Sequence, residues 1–364
     1  MDTNTYARIS LDTLVRNYKA IKTLAAPKEV ISVIKANAYG HGAVECAEAL
    51  QKAGARIFAV SSIDEALELR EAGINASILV LGYIEPARAI EAVANELSVV
   101  IFERGFAGEM DRAASKLGKM AKLELKVDTG MNRLGFKSGG IEAIKEISEL
   151  GNCSLEGVFS HFASADDKAA SSNDEQYRLF DSFITQVKSL GINPGYVHID
   201  NSAGLINFSH SCVNAVRCGI LLYGLPPSPG IELSVPVKPA LGFYSKIAHI
   251  FNVKKGEGIS YSHSYIASSD MKVATISAGY ADGYVRAYSN KAEVFIKGQR
   301  AKSVGNICMD MFMADITGLK DIQVGDEVEL FGPNISAWEL SAHSGSIAYE
   351  VLCLISKRVR RVYE

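Results

Sequence analysis

The sequence lacks several features that mark particular classes of protein. No apolar run approaches the ~18 residues of a membrane span, and the N-terminus has no secretion-signal pattern. The six cysteines are scattered without any C-x-x-C pair, which argues against a zinc site or a disulfide framework. Lys plus Arg (38) nearly balance Asp plus Glu (41), whereas a nucleic-acid binder is usually basic. We therefore expect a cytoplasmic protein with free thiols that binds no metal, nucleic acid or membrane.

Two common nucleotide-binding motifs are also missing. No G-x-x-x-x-G-K-[ST] occurs anywhere in the chain. Gly40-His41-Gly42 begins like a dinucleotide-binding motif, but Glu45 stands where the third glycine is required. The sequence thus gives no support to a nucleotide-binding enzyme.

The first two-thirds of the chain alternate apolar runs with helical patterns. The eight runs are Val30–Ile34, Ile57–Ser61, Ile78–Leu81, Ser98–Phe102, Leu123–Val127, Gly157–His161, Tyr196–Asp200 and Asn214–Gly219. They are mostly continuous rather than alternating, as in strands of a parallel sheet buried on both faces. Eight such units favour a (β/α)8 TIM-like barrel over a doubly wound open sheet, which remains the alternative.

The pattern changes after about residue 225. Five prolines within residues 226–239 indicate a linker, and the segments beyond it read as short strands punctuated by glycines. We predict an α/β barrel over residues 10–230. A smaller, mostly β domain is predicted over residues 231–364, together with residues 1–9.

Candidate chemical groups lie where the predicted parallel strands end. They are mostly cations and hydroxyls: Lys35, Lys126, Arg133, His161, Asn201, Ser202 and Arg217. In a barrel these positions share the face that carries the active site. The scarcity of Asp and Glu argues against a magnesium or glycosidase site.

Lys35 and Ser202 carry the most specific signals. Lys35 directly follows the run Val30–Ile34, which is apolar except for Ser32. A partly desolvated amine there has a lowered pKa and acts as a nucleophile in Schiff-base chemistry. The alternative is a lysine whose ammonium group reaches solvent or pairs with a carboxylate.

Ser202, with Gly219 and Ile220, matches the phosphate site that barrels build after strands seven and eight. Ser202 could equally be a simple helix cap.

Several motifs together resemble the alanine racemase family, in order and over nearly the whole chain. In the barrel they are Val33-Ile34-Lys35-Ala36-Asn37-Ala38-Tyr39-Gly40-His41-Gly42, 126–135 (KVDTGMNRLG), 160–166 (SHFASAD), Asn201-Ser202-Ala203 and 216–224 (VRCGILLYG). In the second domain they are Ile259-Ser260-Tyr261, 279–283 (GYADG), Cys308-Met309-Asp310 and Ala348-Tyr349-Glu350. The resemblance implies pyridoxal 5′-phosphate (PLP) as cofactor and interconversion of L- and D-alanine. It also implies a homodimer with shared active sites, acting on an amino acid and supplying D-alanine for the cell wall.

The resemblance also implies residue roles. Lys35 and Tyr261 would be the two acid–base groups, because inversion requires one proton to leave one face and another to arrive on the opposite face. His161 and Arg217 would support Tyr261. The cofactor would be bound by Lys35, Tyr39, Asn201, Ser202, Arg217, Gly219, Ile220 and Tyr349. Arg133 and the backbone of Met309 would bind the substrate, Lys126 would be carbamylated, and Tyr280 with Tyr349 would gate the entrance.

One departure and several alternatives remain. Ser262 follows Tyr261 where the family most often has glycine, which suggests that this turn does not need positive φ.

The alternative functions are a racemase for serine or basic amino acids, a PLP-dependent decarboxylase of the same fold, and a PLP-carrying protein without enzymatic activity. Cys308 in a Cys-Met-Asp motif argues against the decarboxylase, and the second domain argues against the carrier.

Overall fold

A computed structural model describes residues 4–137 and 139–364. By its internal contacts the chain divides into two units. One unit comprises Leu14–Ala38 and Ala43–Lys238, and the other comprises residues 4–13, Tyr39–Gly42 and Pro239–Glu364. Among the described residues, no helix has the length and hydropathy to cross a membrane.

The larger unit is a parallel barrel. After β1 (Tyr6–Ile9), which belongs to the other unit, come β2 (Glu29–Val33), β3 (Ile57–Val60), β4 (Ser77–Val80), β5 (Ser98–Ile101), β6 (Ala121–Lys126), β7 (Cys153–Phe159), β8 (Tyr196–His198) and β9 (Ala215–Cys218). They pair in parallel in the order β8-β7-β6-β5-β4-β3-β2-β9. The amides of Asn214 and Arg217 donate to the carbonyls of Val197 and Asp200, both at 3.0 Å, and so join the edge strands. All eight predicted strands are present, and the predicted fold class is confirmed.

Helices follow the strands as the sequence signals indicate. They are α1 (Leu11–Ala25), α2 (Ala43–Lys52), α3 (Ile63–Glu71), α4 (Ala89–Ala94), α5 (Phe106–Leu117), α6 (Gly140–Glu149), α7 (Ser171–Ser189) and α8 (Ser202–Asn207). Ser62 and Glu65 form a capping box at the start of α3. Pro86 begins a short 3₁₀ turn, Pro86–Arg88, directly before α4.

The smaller unit is mostly antiparallel sheet. Its further elements are β10 (Leu241–Val253), β11 (Gly258–Ile259), β12 (Tyr265–Ile266), β13 (Met271–Ile276), β14 (Glu293–Ile296), β15 (Gln299–Val304), β16 (Phe312–Asp315), β17 (Glu327–Phe331), α9 (Ala337–Ala342), α10 (Ala348–Cys353) and β18 (Arg360–Tyr363). Eight strands form one sheet in the order β13-β16-β15-β14-β17-β10-β1-β18. Strand β1 pairs with both β10 and β18, so the two chain ends belong to the same sheet.

Candidate active site

Lys35 begins an unusual backbone turn directly after β2. The four residues that follow it, Ala36 to Tyr39, all have φ between 52° and 54°, which is a left-handed conformation. Such a conformation costs roughly 1–2 kcal/mol for each residue other than glycine. Two side chains hold the turn in place. Glu65 Oε1 accepts from the Ala36 amide at 2.6 Å, and Asn37 Oδ1 accepts from the Ala43 amide at 2.8 Å.

Arg217 on β9 lies at the centre of the barrel with 4% of its surface exposed. Its Nη2 donates to His161 Nδ1 at 2.9 Å and to the Ser160 carbonyl at 2.7 Å. Its Nη1 contacts His198 Nδ1. Burial lowers the pKa of Arg217 to about 10, so the guanidinium stays protonated at neutral pH.

The predicted partner of Arg217, His161, follows β7 in the same barrel. Burial and neighbouring cations hold the pKa of His161 well below its usual range. In decreasing order of effect the cations are Arg217, Lys126, Arg133 and Lys35. The structure therefore brings these predicted site residues together around a neutral imidazole.

Two buried residues in this cluster, Glu124 and His198, were not found from the sequence. Glu124 is 2% exposed and its Oε2 lies 2.8 Å from His198 Nε2. The available signal was a single carboxylate between Leu123 and Leu125, two residues before Lys126. Residues two apart in a strand point to the same face, so Glu124 shares the face of Lys126.

Lys126 and Arg133 lie at the two ends of one loop. Lys126 Nζ donates to the Val127 carbonyl at 2.9 Å. Burial, followed by the charge of Arg217, lowers the pKa of Lys126 to about 7. Asp128 Oδ1 accepts from the amides of Gly130 and Asn132, both at 3.0 Å, and this turn leads to the exposed Arg133.

The predicted phosphate-binding residues meet where β9 ends and α8 begins. Asn201 is the cap of α8, and its Oδ1 accepts from the Gly204 amide at 2.9 Å. Ser202 is therefore not the cap. Its hydroxyl accepts from the Gly219 amide at 3.1 Å, one residue before Ile220. This cluster offers a hydroxyl and backbone amides, the donors that bind phosphate well.

Tyr39 and Tyr349 meet within the smaller unit. Their ring centroids are 6.2 Å apart. Burial raises the pKa of Tyr39, so its hydroxyl keeps its proton and can donate.

Tyr261 lies in a short turn after β11 and is 67% exposed. The expectation that this turn avoids positive φ is wrong, because Ser262 has φ 58° and His263 has φ 44°. Contacts from another loop hold this backbone. Asn306 Nδ2 donates to the Tyr261 carbonyl at 2.7 Å, and Ser260 Oγ donates to the Asn306 carbonyl at 2.6 Å. These contacts help offset the strain of a non-glycine residue at position 262.

Tyr280 and Met309 belong to two loops of the smaller unit. Backbone hydrogen bonds and the side chain of Arg358 connect these loops. The Tyr280 amide donates to the Cys308 carbonyl at 3.0 Å. Arg358 pairs with Asp282 at 2.7 Å and with Asp310 at 2.8 Å. Tyr280 is 41% and Met309 53% exposed. Met309 precedes Asp310 and Tyr280 lies two residues before Asp282, so the ion pairs of Arg358 hold both loops close to these exposed side chains.

Comparisons with known proteins agree over the whole chain. The family model "Alanine racemase, N-terminal domain" matches residues 9–227, and "Alanine racemase, C-terminal domain" matches residues 240–363. The chain is 41% identical to the alanine racemase of Desulfovibrio desulfuricans, over all of this chain and 98% of that relative. It is similar to the structure of alanine racemase from Clostridium difficile 630 (TM-score 0.95, 38% identity, 100% and 96% of the two chains). It is also similar to the Bartonella henselae alanine racemase with covalently bound pyridoxal phosphate (TM-score 0.90, 30% identity, both chains covered completely).

Proposed function

The chain belongs to the alanine racemase family, and we propose that it interconverts L-alanine and D-alanine with Lys35 and Tyr261 as acid–base groups. The observation that carries this assignment is the buried Arg217–His161 pair, joined at 2.9 Å in the same barrel that carries Lys35. A guanidinium beside a neutral imidazole holds its proton firmly and passes none on.

The donor set of the barrel fits PLP. Lys35 would hold the aldehyde carbon covalently, and Ser202 with the amides of Gly219 and Ile220 would bind the phosphate. Tyr39 and Tyr349 would add hydroxyl donors, and Asn201 would position the cofactor edge. When bound, PLP supplies an electron sink that stabilises negative charge at the substrate Cα.

Arg217 would face the pyridine nitrogen of the cofactor. Because a guanidinium only donates, Arg217 would keep its proton and would leave that nitrogen unprotonated. Arg217 would thereby limit how much negative charge the cofactor withdraws, which would favour proton return to Cα over transamination.

Lys35 and Tyr261 would each move one proton at Cα, from opposite faces. An ordinary tyrosine has a pKa near ~10, so Tyr261 needs a group that stabilises its phenolate. His161 accepts from Arg217 at Nδ1, and a neutral imidazole then carries its proton at Nε2. That N–H would donate to the Tyr261 oxygen and stabilise its deprotonated form.

The substrate carboxylate would bind to Arg133 and the backbone of Met309. A carbamate on Lys126 would pair with Arg133 and fix its guanidinium. Tyr280 and Tyr349 would narrow the entrance, and a small pocket favours alanine over serine or basic amino acids.

An exposed apolar surface around Tyr261 supports a homodimer. Tyr261, Ile266 and Met311 are 67%, 55% and 47% exposed. They line a groove of about 1350 Å³ in the smaller unit, together with Phe251 and Met313. Contiguous exposed apolar surface marks an interface, and a second copy of the chain would bring Tyr261 to the partner's Lys35. Cysteines such as Cys46 and Cys218 carry free thiols, which supports a cytoplasmic location.

Proton NMR of L-alanine with the PLP-loaded protein in D2O, with chiral analysis, tests this function. We expect D-alanine that carries deuterium at Cα, and we expect Tyr261→Phe to lose inversion by about 10²-fold or more. Exchange without inversion would contradict the two-base assignment and favour the decarboxylase or carrier. No exchange would exclude alanine, and serine and lysine would be tried next.

A further inference from the structure

The carboxylate of Glu124 lies inside the barrel, away from solvent. Strand β6 pairs with β7 so that Glu124 lies opposite Gly157. A Cβ at position 157 would come within 2.9 Å of the Glu124 carboxyl carbon. Glycine at this position therefore leaves the space that the carboxyl group occupies.

The contacts of His198 determine where its single proton lies. Arg217 Nη1 contacts His198 Nδ1, and a guanidinium can only donate. Nδ1 is therefore the acceptor, and the neutral ring carries its hydrogen at Nε2. That hydrogen points at Glu124 Oε2, 2.8 Å away, and this oxygen accepts whichever protonation state Glu124 holds.

Arg217 also determines where the single proton of His161 lies. Arg217 Nη2 donates to His161 Nδ1 at 2.9 Å, so His161 also carries its hydrogen at Nε2. The His198 ring is held face to face with Phe159, with centroids 4.8 Å apart and planes at 4°. The chain Glu124–His198–Arg217–His161 thus has one consistent arrangement of protons.

We propose that Glu124 is a positioning residue for the reaction: by accepting the Nε2 hydrogen of His198 it reinforces the tautomer that the Arg217 contact requires. The His198 ring held in this way in turn holds the guanidinium of Arg217, whose donation to Nδ1 fixes the Nε2 hydrogen of His161. This inference rests on the proposed function, in which Arg217 faces the cofactor and His161 supports Tyr261. Glu124 touches neither cofactor nor substrate in this scheme and acts only through the buried chain.

Nitrogen NMR of the full-length protein labelled at histidine, with and without PLP, reads the tautomers directly. In the wild-type protein we expect His198 and His161 each to carry hydrogen on Nε2 and none on Nδ1. Glu124→Leu removes the acceptor and should alter the signals of both histidines. It should also lower kcat about tenfold with KM within about twofold, as loss of an outer hydrogen-bond partner does elsewhere.

Two further variants separate positioning from general damage. Glu124→Gln keeps an oxygen that can accept from His198, so it should retain the tautomers and restore most of kcat. Glu156→Gln is the matched control, because Glu156 lies on the neighbouring strand β7. Its Oε2 accepts from Ser98 Oγ at 2.6 Å, apart from the series of hydrogen bonds that links Glu124 to His161. It should leave the histidine signals and kcat unchanged.

Hydrogen on His198 Nδ1 in the wild-type protein would overturn the proposal, even if Glu124→Leu does not fold. Unchanged histidine signals and kcat in Glu124→Leu would also overturn it. So would a Glu156→Gln variant that moves the histidine signals as far as Glu124→Leu does. A wild-type protein that leaves alanine untouched would refute the proposed function instead, because the tautomers are measured without turnover.

Discussion

At the scale of the residue, the buried amine of Lys126 should react with carbon dioxide. Burial lowers the pKa of Lys126 to about 7, so much of the amine is neutral at physiological pH. The neutral nitrogen forms a bond to the CO2 carbon and releases one proton to solvent, which yields a carbamate. With ¹³C-bicarbonate, carbon NMR should show a carbamate signal that falls as the pH drops below about 7, since protonation of the amine prevents the attack. An intact mass under native conditions should increase by one CO2.

Lys126→Arg is the control for this prediction because it keeps the positive charge but forms no carbamate. It should lose the NMR signal, and it should raise KM for alanine about tenfold if the carbamate positions Arg133 through a charge-assisted bond. A carbamate signal that persists in Lys126→Arg would come from another amine. Absence of the signal from the wild-type protein between pH 6 and 9 would rule out the carbamate.

Individual site residues differed in how well the sequence revealed them. Lys35 could be proposed because it directly follows an apolar run, and Arg217 because it lies near the end of the eighth predicted strand. Glu124 could not, because a lone acidic residue in a strand does not reveal the histidine and arginine that approach it from β8 and β9. The positive φ of Ser262 was also missed, since the loop around Asn306 that holds it is distant in the sequence.

At the scale of the element, the left-handed turn after β2 should store strain that glycine relieves. Ala36 is exposed with φ 53°, so Ala36→Gly removes a Cβ without losing packing. We expect the free energy of unfolding to rise by about 0.5–1 kcal/mol, the relief of the left-handed conformation less the added flexibility of glycine. Urea denaturation without cofactor measures this change.

Ala49→Gly is the matched control, since Ala49 lies in the right-handed helix α2. The same substitution there should destabilise the protein by about 1 kcal/mol. Equal destabilisation at both positions would mean that the turn is unstrained. If the turn orients the Lys35 side chain, Ala36→Gly should also slow the reaction. The absorption spectrum of the bound cofactor reports the orientation of Lys35 separately from stability.

Among the elements, the barrel strands were predictable and parts of the smaller sheet were not. Continuous apolar runs identify buried parallel strands such as β3, where all four residues are buried. Strand β1 has one arginine among its four residues and β18 has two. These two strands pair with each other although they lie at opposite ends of the sequence. Their strand character comes from that long-range pairing, which local pattern does not reveal. The left-handed turn has no glycine after Lys35 until Gly40, so nothing local predicted it either.

At the scale of the whole molecule, two inactive variants should restore each other if active sites are shared between subunits. Lys35→Ala and Tyr261→Ala each lose one proposed acid–base group. In a mixed dimer, one site combines both damaged positions and the other combines the intact Lys35 and Tyr261. Unfolding and refolding the variants together in equal amounts should therefore give about a quarter of wild-type activity, since half of the dimers are mixed and each has one intact site. Each variant refolded alone serves as the control and should stay inactive. A mixture no more active than these controls, although mass measurement shows mixed dimers, would mean that Lys35 and Tyr261 act within one chain.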